Sequence, residues 1–188
     1  GDSAVGRIRK IDAITGIITT VVGIGLTGFS GDGGLATVAK IGSPTAIRFD
    51  MDGHLYFADD SHHVIRRVDA YSGIITTIAG TGETGFAPDG TLSTTAAIAY
   101  PRGLAIDNQG RIYFSDTKNN RIRRLTENSK LETVVGNGFF GDAGDLGQAG
   151  QATLNEPHGL SFYGDDILLL CDHFNNRIQV FSRFGDWE

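Results

Sequence analysis

The sequence predicts an all-β fold made of β-propeller blades, each a sheet of four antiparallel strands, on three observations. The quartet IRRL at 122–125 recurs in related form at positions 8, 65 and 178, so successive starts lie 57, 57 and 56 residues apart. A fixed period of this length indicates one supersecondary unit used repeatedly. The second strand of each unit (LYFA, IYFS, LLLC) is apolar on both faces, which predicts a neighbouring sheet on each side. A content of 27 glycines and 4 prolines is typical of short strands joined by glycine turns.

The first piece, 1–43, is predicted to supply only the last two strands of a unit. β-Branched residues predict strands at 7–11 and 17–22, because such side chains fit a pleated surface. A glycine-rich loop then leads to a complete unit, 44–100. Its four strands are predicted at 45–50, 54–59, 64–69 and 74–79, with Asp-Gly and Ser-Gly at the hairpin turns, where positive φ is needed.

A second complete unit is predicted at 101–156, and a third begins at Pro157 and stops after its third strand near Phe181. Residues 1–188 are therefore interpreted as a single propeller segment of about 3.3 units (188 divided by 57), in the pieces 1–43, 44–100, 101–156 and 157–188. The strand pattern predicts that these apolar side chains and the thiol of Cys171 are buried: Leu55, Phe57, Ile65, Leu104, Ile106, Ile112, Phe114, Ile122, Leu168, Leu170 and Ile178.

The motifs of the second unit resemble the NHL repeat. They are PRGLAID at 101–107, GRIYFSD at 110–116, NNRIR at 119–123 and TVVG at 133–136. The GFSGDGG loop at 28–34 and the ATxA run at 36–39 are similar to the long form found in bacterial and teneurin-like proteins. The resemblance implies a propeller that usually has six blades, so this chain is expected to form half of such a ring. It also favours an extracytoplasmic or secreted setting.

Composition narrows the classes of function. The net charge of −6 disfavours nucleic acid, and Arg9, Arg66 and Arg123, which could form a basic stripe, are expected to face partly inward. A single cysteine excludes an intrachain disulfide, and there is no run of 18 apolar residues that would span a membrane. The chain begins at Gly1 rather than Met, so we interpret it as a processed or excised piece, and the lack of a signal peptide carries no weight.

An aspartate ends each of the three predicted second strands and precedes an arginine on the third strand. A group present in every unit is more easily explained by folding the unit than by a ligand site. We therefore predict structural Asp–Arg pairs inside the blades, formed by Asp59 with Arg66, by Asp116 with Arg121 or Arg123, and by Asp172 with Arg177.

The loops GFSGDGG (28–34), GFAPDGT (85–91) and GFFGDAG (138–144) invite a phosphate or calcium interpretation. A phosphate loop needs a lysine and a following helix, and an EF-hand needs five or more oxygen ligands, whereas one aspartate recurs here. The sequence favours tight turns whose phenylalanines plug the blade edges, with Phe29, Phe86 and Phe139 equivalent. A weak cation site at Asp32, Asp89 or Asp142 remains as the alternative.

Thr45, Arg102 and His158 follow the proline that opens each unit, a position near the central channel of a propeller. They are the candidate ligand-binding residues. His158 is also a candidate zinc ligand, because NHL-like amidating lyases, which this segment resembles, hold zinc through such Pro-His segments; a catalytic zinc needs three protein ligands. His62, His63 and His173 are predicted to be exposed polar residues.

Two functional hypotheses follow. The first is a non-catalytic propeller scaffold, without a cofactor, that binds a protein or small ligand on its loop face. The alternative is a metal-dependent lyase or hydrolase acting at the channel near His158, with zinc or calcium. The sequence has no GxSxG motif, so it gives no support for nucleophilic catalysis by a serine. Because both ends leave open sheet edges, self-association that completes a propeller is also predicted.

Overall fold

The computed structural model describes residues 1–164 and 166–182, and this part of the chain is all-β. Its 13 strands form four antiparallel sheets of two, four, four and three strands, each sheet continuous in sequence order. We call the sheets the N-terminal pair, blade 1, blade 2 and blade 3. The strands are β1 (Ile8–Ile11) and β2 (Ile18–Val22); β3 (Pro44–Phe49), β4 (Leu55–Asp59), β5 (Val64–Val68) and β6 (Ile75–Ala79); β7 (Pro101–Ile106), β8 (Ile112–Asp116), β9 (Arg121–Leu125) and β10 (Leu131–Val135); and β11 (Pro157–Tyr163), β12 (Ile167–Asp172) and β13 (Arg177–Ser182).

The predicted strand order agrees with this architecture, a partial β-propeller. The fourth predicted piece, 157–188, extends beyond the described residues, which end at Ser182. The turn of the β3–β4 hairpin is closed by a hydrogen bond from Gly53 N to Asp50 O, and Gly53 has a φ of 82°. That left-handed conformation is the reason a glycine stands there. No helix of the described residues is long and apolar enough to cross a membrane.

Each pair of neighbouring sheets shares one apolar cluster, so the core runs between blades rather than within them. Phe57 and Ile75 of blade 1 pack against the N-terminal pair. The opposite face of blade 1, with Ile65, packs against Leu104 and Phe114 of blade 2. A third cluster joins blade 2 to blade 3. Burial on both faces explains why all five residues of β4 are buried, as a doubly covered strand requires.

The last sheet departs from the predicted burial. Ile178 is 62% exposed, whereas the equivalent Ile65 and Ile122 are fully buried, and Cys171 is exposed as well. Both residues lie on the face of blade 3 that points away from blade 2, which we call the front face. Within the described residues no further sheet covers it, and this is why the prediction of burial was wrong. Ile106 and Ile112 are only partly buried.

The two ends of the blades differ. The first strands β3, β7 and β11 contact one another in series and so lie nearest the channel axis. The turns between the second and third strands are short 3-10 turns, Asp60–His62, Thr117–Asn119 and His173–Asn175, and all lie at one end. We call this end the loop face and the opposite end, which carries the tight hairpins, the hairpin face.

Candidate functional site

The aspartate that ends each second strand anchors the segment entering its own blade. Each of these carboxylates is fully buried. Each accepts a hydrogen bond from a backbone N–H 17 residues earlier: Asp59 from Gly42 at 2.7 Å, Asp116 from Ala99 at 2.7 Å and Asp172 from Asn155 at 2.8 Å. A carboxylate that closes the same loop in every blade performs a folding task.

Side-chain partners complete these anchors in blades 2 and 3. Asp116 accepts hydrogen bonds from Asn119 at 2.8 Å and from the buried Arg123 at 3.4 Å. Burial nevertheless raises the pKa of the Asp116 carboxyl above its usual value, against the hydrogen bonds from Asn119 and Ala99. In blade 3, Arg177 Nε donates to Asp172 at 3.0 Å.

Two predicted pairings differ from the structure. In blade 1 the buried Arg66 turns away from Asp59 and binds Asp32, while His62 Nδ1 lies 3.2 Å from Asp59. His62 stands where blades 2 and 3 have asparagines, so the place beside Asp59 is already occupied. Arg121 binds the backbone carbonyls of Asn119 and Asn137 rather than Asp116.

For the long loops that lead into the blades, the structural alignment differs from the alignment of their sequence motifs. Asp32 binds Arg66, Asp89 binds Arg123 at 3.0 Å, and Asp145, not Asp142, approaches Arg177 at 3.6 Å. Gly141 O accepts from Asn175 as Gly85 O accepts from Asn119, which places Asp142 where the second loop has Phe86. Each recurring aspartate thus already has an arginine partner, which leaves it poorly suited to a cation.

Of the three phenylalanines predicted to plug the blade edges, Phe29 and Phe86 lie against arginines but are 39% and 49% exposed, and Phe139 has no such contact in the described part of the chain. Arg66 lies over the ring of Phe29 at 5.4 Å, and Arg121 over the ring of Phe86 at 4.4 Å. Phe139 is 74% exposed because it sits three positions earlier in its loop than the alignment by letters assumed.

The three residues predicted at the channel mouth lie on adjacent first strands, and two of them are in contact. Arg102 Nη1 lies 2.9 Å from His158 Nε2, and Arg102 Nε donates to Asp60 Oδ2 at 2.8 Å. The His158 ring stacks on His173 with centroids 4.0 Å apart. Thr45 instead donates its hydroxyl to Pro101 O at 3.2 Å. The channel-mouth row is therefore Asp60, Arg102, His158 and His173.

The electrostatics of this row keep His158 neutral. Burial, together with the neighbouring His173 and Arg102, lowers the pKa of His158 to about 4. At neutral pH its Nε2 therefore accepts a hydrogen bond from the Arg102 guanidinium. An imidazole nitrogen held in this way is not available as a general base.

Zinc does not fit these residues. Imidazole nitrogens bind a metal in the plane of the ring, and the rings of His158 and His173 lie within 13° of parallel, so their lone pairs do not converge on one point. His158 Nε2 is also engaged by Arg102. A separate group, Asp50, Asp52 and His54, lies in the β3–β4 turn, where Asp50 accepts the backbone N–H groups of the other two. That group folds the hairpin.

The sequence did not identify Asp60 and His173 as members of the row, although the prediction that His173 is exposed is confirmed. The available signal was the repeat itself, because both directly follow the anchoring aspartate. It also missed the role of His63, which is buried rather than exposed. His63 Nδ1 accepts the backbone N–H of Tyr100 at 3.2 Å, and Asn120 accepts that of Glu156 at 3.0 Å, so each fastens the next blade.

A cavity of about 470 Å³ lies between blades 1 and 2. It is lined at the hairpin face by Arg67, Arg111, Ile112 and Thr126, among others. Its position separates it from the channel-mouth row, and none of the predicted ligand-binding residues contributes to it.

Comparison with known proteins relates the chain to repeat proteins of one kind. A family model described as "NHL repeat" matches residues 99–125. The Arabidopsis thaliana protein SUPPRESSOR OF QUENCHING 1, chloroplastic, is 32% identical over 140 residues, which are 71% of this chain and 13% of that protein. Teneurin-1 of Mus musculus is 32% identical over 111 residues, 56% of this chain and 4% of teneurin-1.

Among solved structures, an auxiliary nutrient binding protein of Bacteroides thetaiotaomicron shares the fold. The TM-score is 0.69 at 24% identity, and the match covers 95% of this chain and 43% of that one. The chain thus spans a small fraction of its sequence relatives and less than half of this structural neighbour.

Proposed function

Because this chain is an NHL-repeat protein and a partial β-propeller, we propose that it is a non-catalytic scaffold that binds a protein or a small ligand on its loop face, with the channel-mouth row as the contact site. Its relatives are far longer and its structural neighbours share only the fold, so the proposal rests on this chain's own residues.

The observation that carries the proposal is Arg102, held between Asp60 and His158 with 34% of its side chain exposed. Nε and Nη1 are engaged, and within the described residues Nη2 has no hydrogen-bond partner. A guanidinium fixed on one side and open on the other is suited to an acceptor such as a carboxylate or a peptide carbonyl.

Variation among the repeats supports the same assignment. The anchoring position is Asp in all three blades, whereas the channel position is Thr45, Arg102 and His158 in turn. A residue that the unit needs for folding recurs, and a position that changes from blade to blade is free to serve recognition. Surface residues of this kind, placed on a rigid scaffold, commonly carry function.

The enzyme alternative has weaker support. A lyase or hydrolase at this mouth would need a metal or a base, and the geometry of His158 and His173 suits neither. Metal analysis of the purified chain distinguishes the two hypotheses. Stoichiometric zinc or calcium that is lost in His158→Ala would favour the enzyme.

The direct test is a thermal-shift and NMR titration with a fixed panel of amino acids, dicarboxylates, neutral monosaccharides and short peptides. The matched variant is Arg102→Thr with His158→Thr, since blade 1 already has threonine at this position. We expect a probe carrying a carboxylate or carbonyl to bind, and to bind the variant at least tenfold more weakly. If no probe binds, or if the variant binds equally well, the row is not the contact site.

Self-association is proposed as a second form of binding. The front face of blade 3 exposes Ile178, Val180 and Cys171, and the equivalents of Ile178 in the other blades are fully buried by the next sheet. Asn176 also occupies the position from which His63 and Asn120 fasten the following blade. A second copy would cover this face.

A further inference from the structure

Three exposed phenylalanines lie in two segments that are joined at the loop face of blade 3, at positions that face solvent in every blade. Phe139 and Phe140 lie in the loop that leads into this blade, and they are 74% and 79% exposed. Phe174 lies in the turn after β12 and is 55% exposed. Asn175 Nδ2 donates to Gly141 O at 2.6 Å, which joins this turn to the loop beside the phenylalanines. We call the three residues the aromatic patch.

The repeats show that the missing neighbour of blade 3 does not cause this exposure. The backbone of Phe140 forms a parallel β-bridge with Leu154, and the backbone of Thr84 forms the same bridge with Ile98. The two loops are therefore equivalent at these positions. The positions of Phe139 and Phe140 are thus those of Glu83 and Thr84, which are exposed although blade 2 is covered on both sides.

The same comparison holds for the third member. Phe174 is equivalent to Ser61 and Lys118, both polar and both exposed. Folding therefore does not require an aromatic residue at any of the three positions. The loop before blade 1 has the exposed Leu26 at the position of Phe139, but blade 3 alone carries aromatic residues there. Large aromatic side chains exposed together are a feature of protein contact surfaces, because they bury much area for little lost side-chain freedom.

The charge around the aromatic patch is negative. Asp142 and Asp145 follow the phenylalanine pair in the same loop, and Asp145 is 77% exposed. The nearby cation Arg177 is already shared between Asp172 and Asp145. Acidic groups at the rim of an apolar contact favour a partner surface with basic side chains and disfavour an anionic one.

We propose that the aromatic patch is the docking site for a protein or peptide partner that presents an apolar recess or apolar side chains flanked by lysine or arginine. The inference rests on the proposed binding role of the loop face and names a partner for it. Phe174 lies 4.8 Å from the His173 ring, so the patch is continuous with the channel-mouth row.

The test uses a phage-displayed library of random 12-residue peptides as the probe, selected on the whole chain. The patch variant carries Phe139→Glu, Phe140→Thr and Phe174→Ser, each the residue of an equivalent position in this chain, so that folding is kept. Library members that bind this variant are removed before each round. We expect enriched peptides with apolar anchors and a net positive charge, which bind the wild type at least tenfold more tightly than the patch variant.

The control keeps this proposal separate from the proposed function. The Arg102→Thr, His158→Thr variant should retain the peptides while losing the small probes of the channel mouth. The proposal is overturned if no peptide is enriched, if enriched peptides are acidic or bind the patch variant equally, if the patch variant abolishes self-association, or if neutral phosphatidylcholine vesicles bind the wild type and not the patch variant.

Discussion

Arg66 and Asp32 are joined across 34 residues of sequence at the outer part of blade 1. The Arg66 side chain is fully buried, and its Nη2 donates to Asp32 Oδ1 at 2.5 Å. The same arginine also binds the carbonyl oxygens of Lys40 and Ser30. The loop preceding the blade is thus fastened to the third strand through one buried cation.

Removal of this acid should destabilise the fold, although it looks like an exposed loop residue. Burial raises the pKa of the Asp32 carboxyl, but hydrogen bonds from Thr77 and Arg66 outweigh it, so that the pKa is lowered. We expect Asp32→Ala to reduce the free energy of unfolding by about 1.5–3 kcal/mol, typical of a hydrogen bond to a charged group. Urea denaturation measures the change.

Asp142→Ala is the matched control. This acid has the same place in the loop motif by letters, yet it occupies the position of Phe86 in the structure. Its loss should change the free energy of unfolding by less than about 0.5 kcal/mol, as for most surface substitutions. Equal effects of the two variants would contradict the revised alignment.

A larger loss is expected at Asp116. Its carboxylate and the Arg123 side chain are both fully buried, so Asp116→Ala removes one member of a buried ion pair, although Arg123 keeps Asp89. The cost is expected to be about 3–5 kcal/mol. Asp59→Ala should cost less, about 1–3 kcal/mol, because the side chain beside Asp59 is His62 rather than a buried arginine. If Asp116→Ala abolished ligand binding without lowering the melting temperature, its structural role would be refuted.

Stability should fall in acid, and His158 should contribute to the fall. Its pKa is lowered to about 4 in the fold, against 6.5 for the free side chain. Below pH 6.5 the unfolded chain therefore takes up a proton that the folded chain does not, so the free energy of unfolding decreases as pH falls from about 6.5 to 4. Burial also lowers the pKa of His63, which adds in the same direction.

The measurement is urea unfolding at pH 7 and pH 5, with NMR of the imidazole resonances. His158→Asn should reduce the loss of stability between these pH values, and the His158 ring in the wild type should stay neutral at pH 5. A ring that titrates near 6.5 would show that Arg102 and His173 do not control it.

The period of the repeat was enough to predict the strands and their order, because each unit's hydrophobic pattern is local. Pairings between distant loops were not predictable in the same way. The letters GFFGDAG match GFSGDGG, yet the register of the hydrogen bonds gives the role of Asp32 to Asp145. The partner of Arg66 was missed because it lies on the loop before the blade rather than on the neighbouring strand.

The candidate site was predicted in part for a related reason. Thr45, Arg102 and His158 follow from the repeat position, but Arg102 and His158 are brought together by the contact between β7 and β11. Asp60 and His173 join them from another loop of the unit. The prediction that Ile178 is buried was wrong. Burial of such a residue depends on whether a neighbouring blade covers it, and the pattern of a single strand carries no information about that blade.

The last prediction concerns that neighbour. The outer edge of β13 is unpaired within the described residues, and the front face exposes apolar side chains, so isolated chains should associate. Light scattering coupled to size exclusion should give a mass above 20.0 kDa at micromolar concentration. Ile178→Asp should shift the chain toward the monomer, because it places a charge on the face that must be covered, whereas the patch variant should not. Cys171 provides an independent reading, since its thiol should react with a thiol reagent more slowly as the concentration rises. A stable monomer whose thiol reacts at one rate at every concentration would rule out this mode of association.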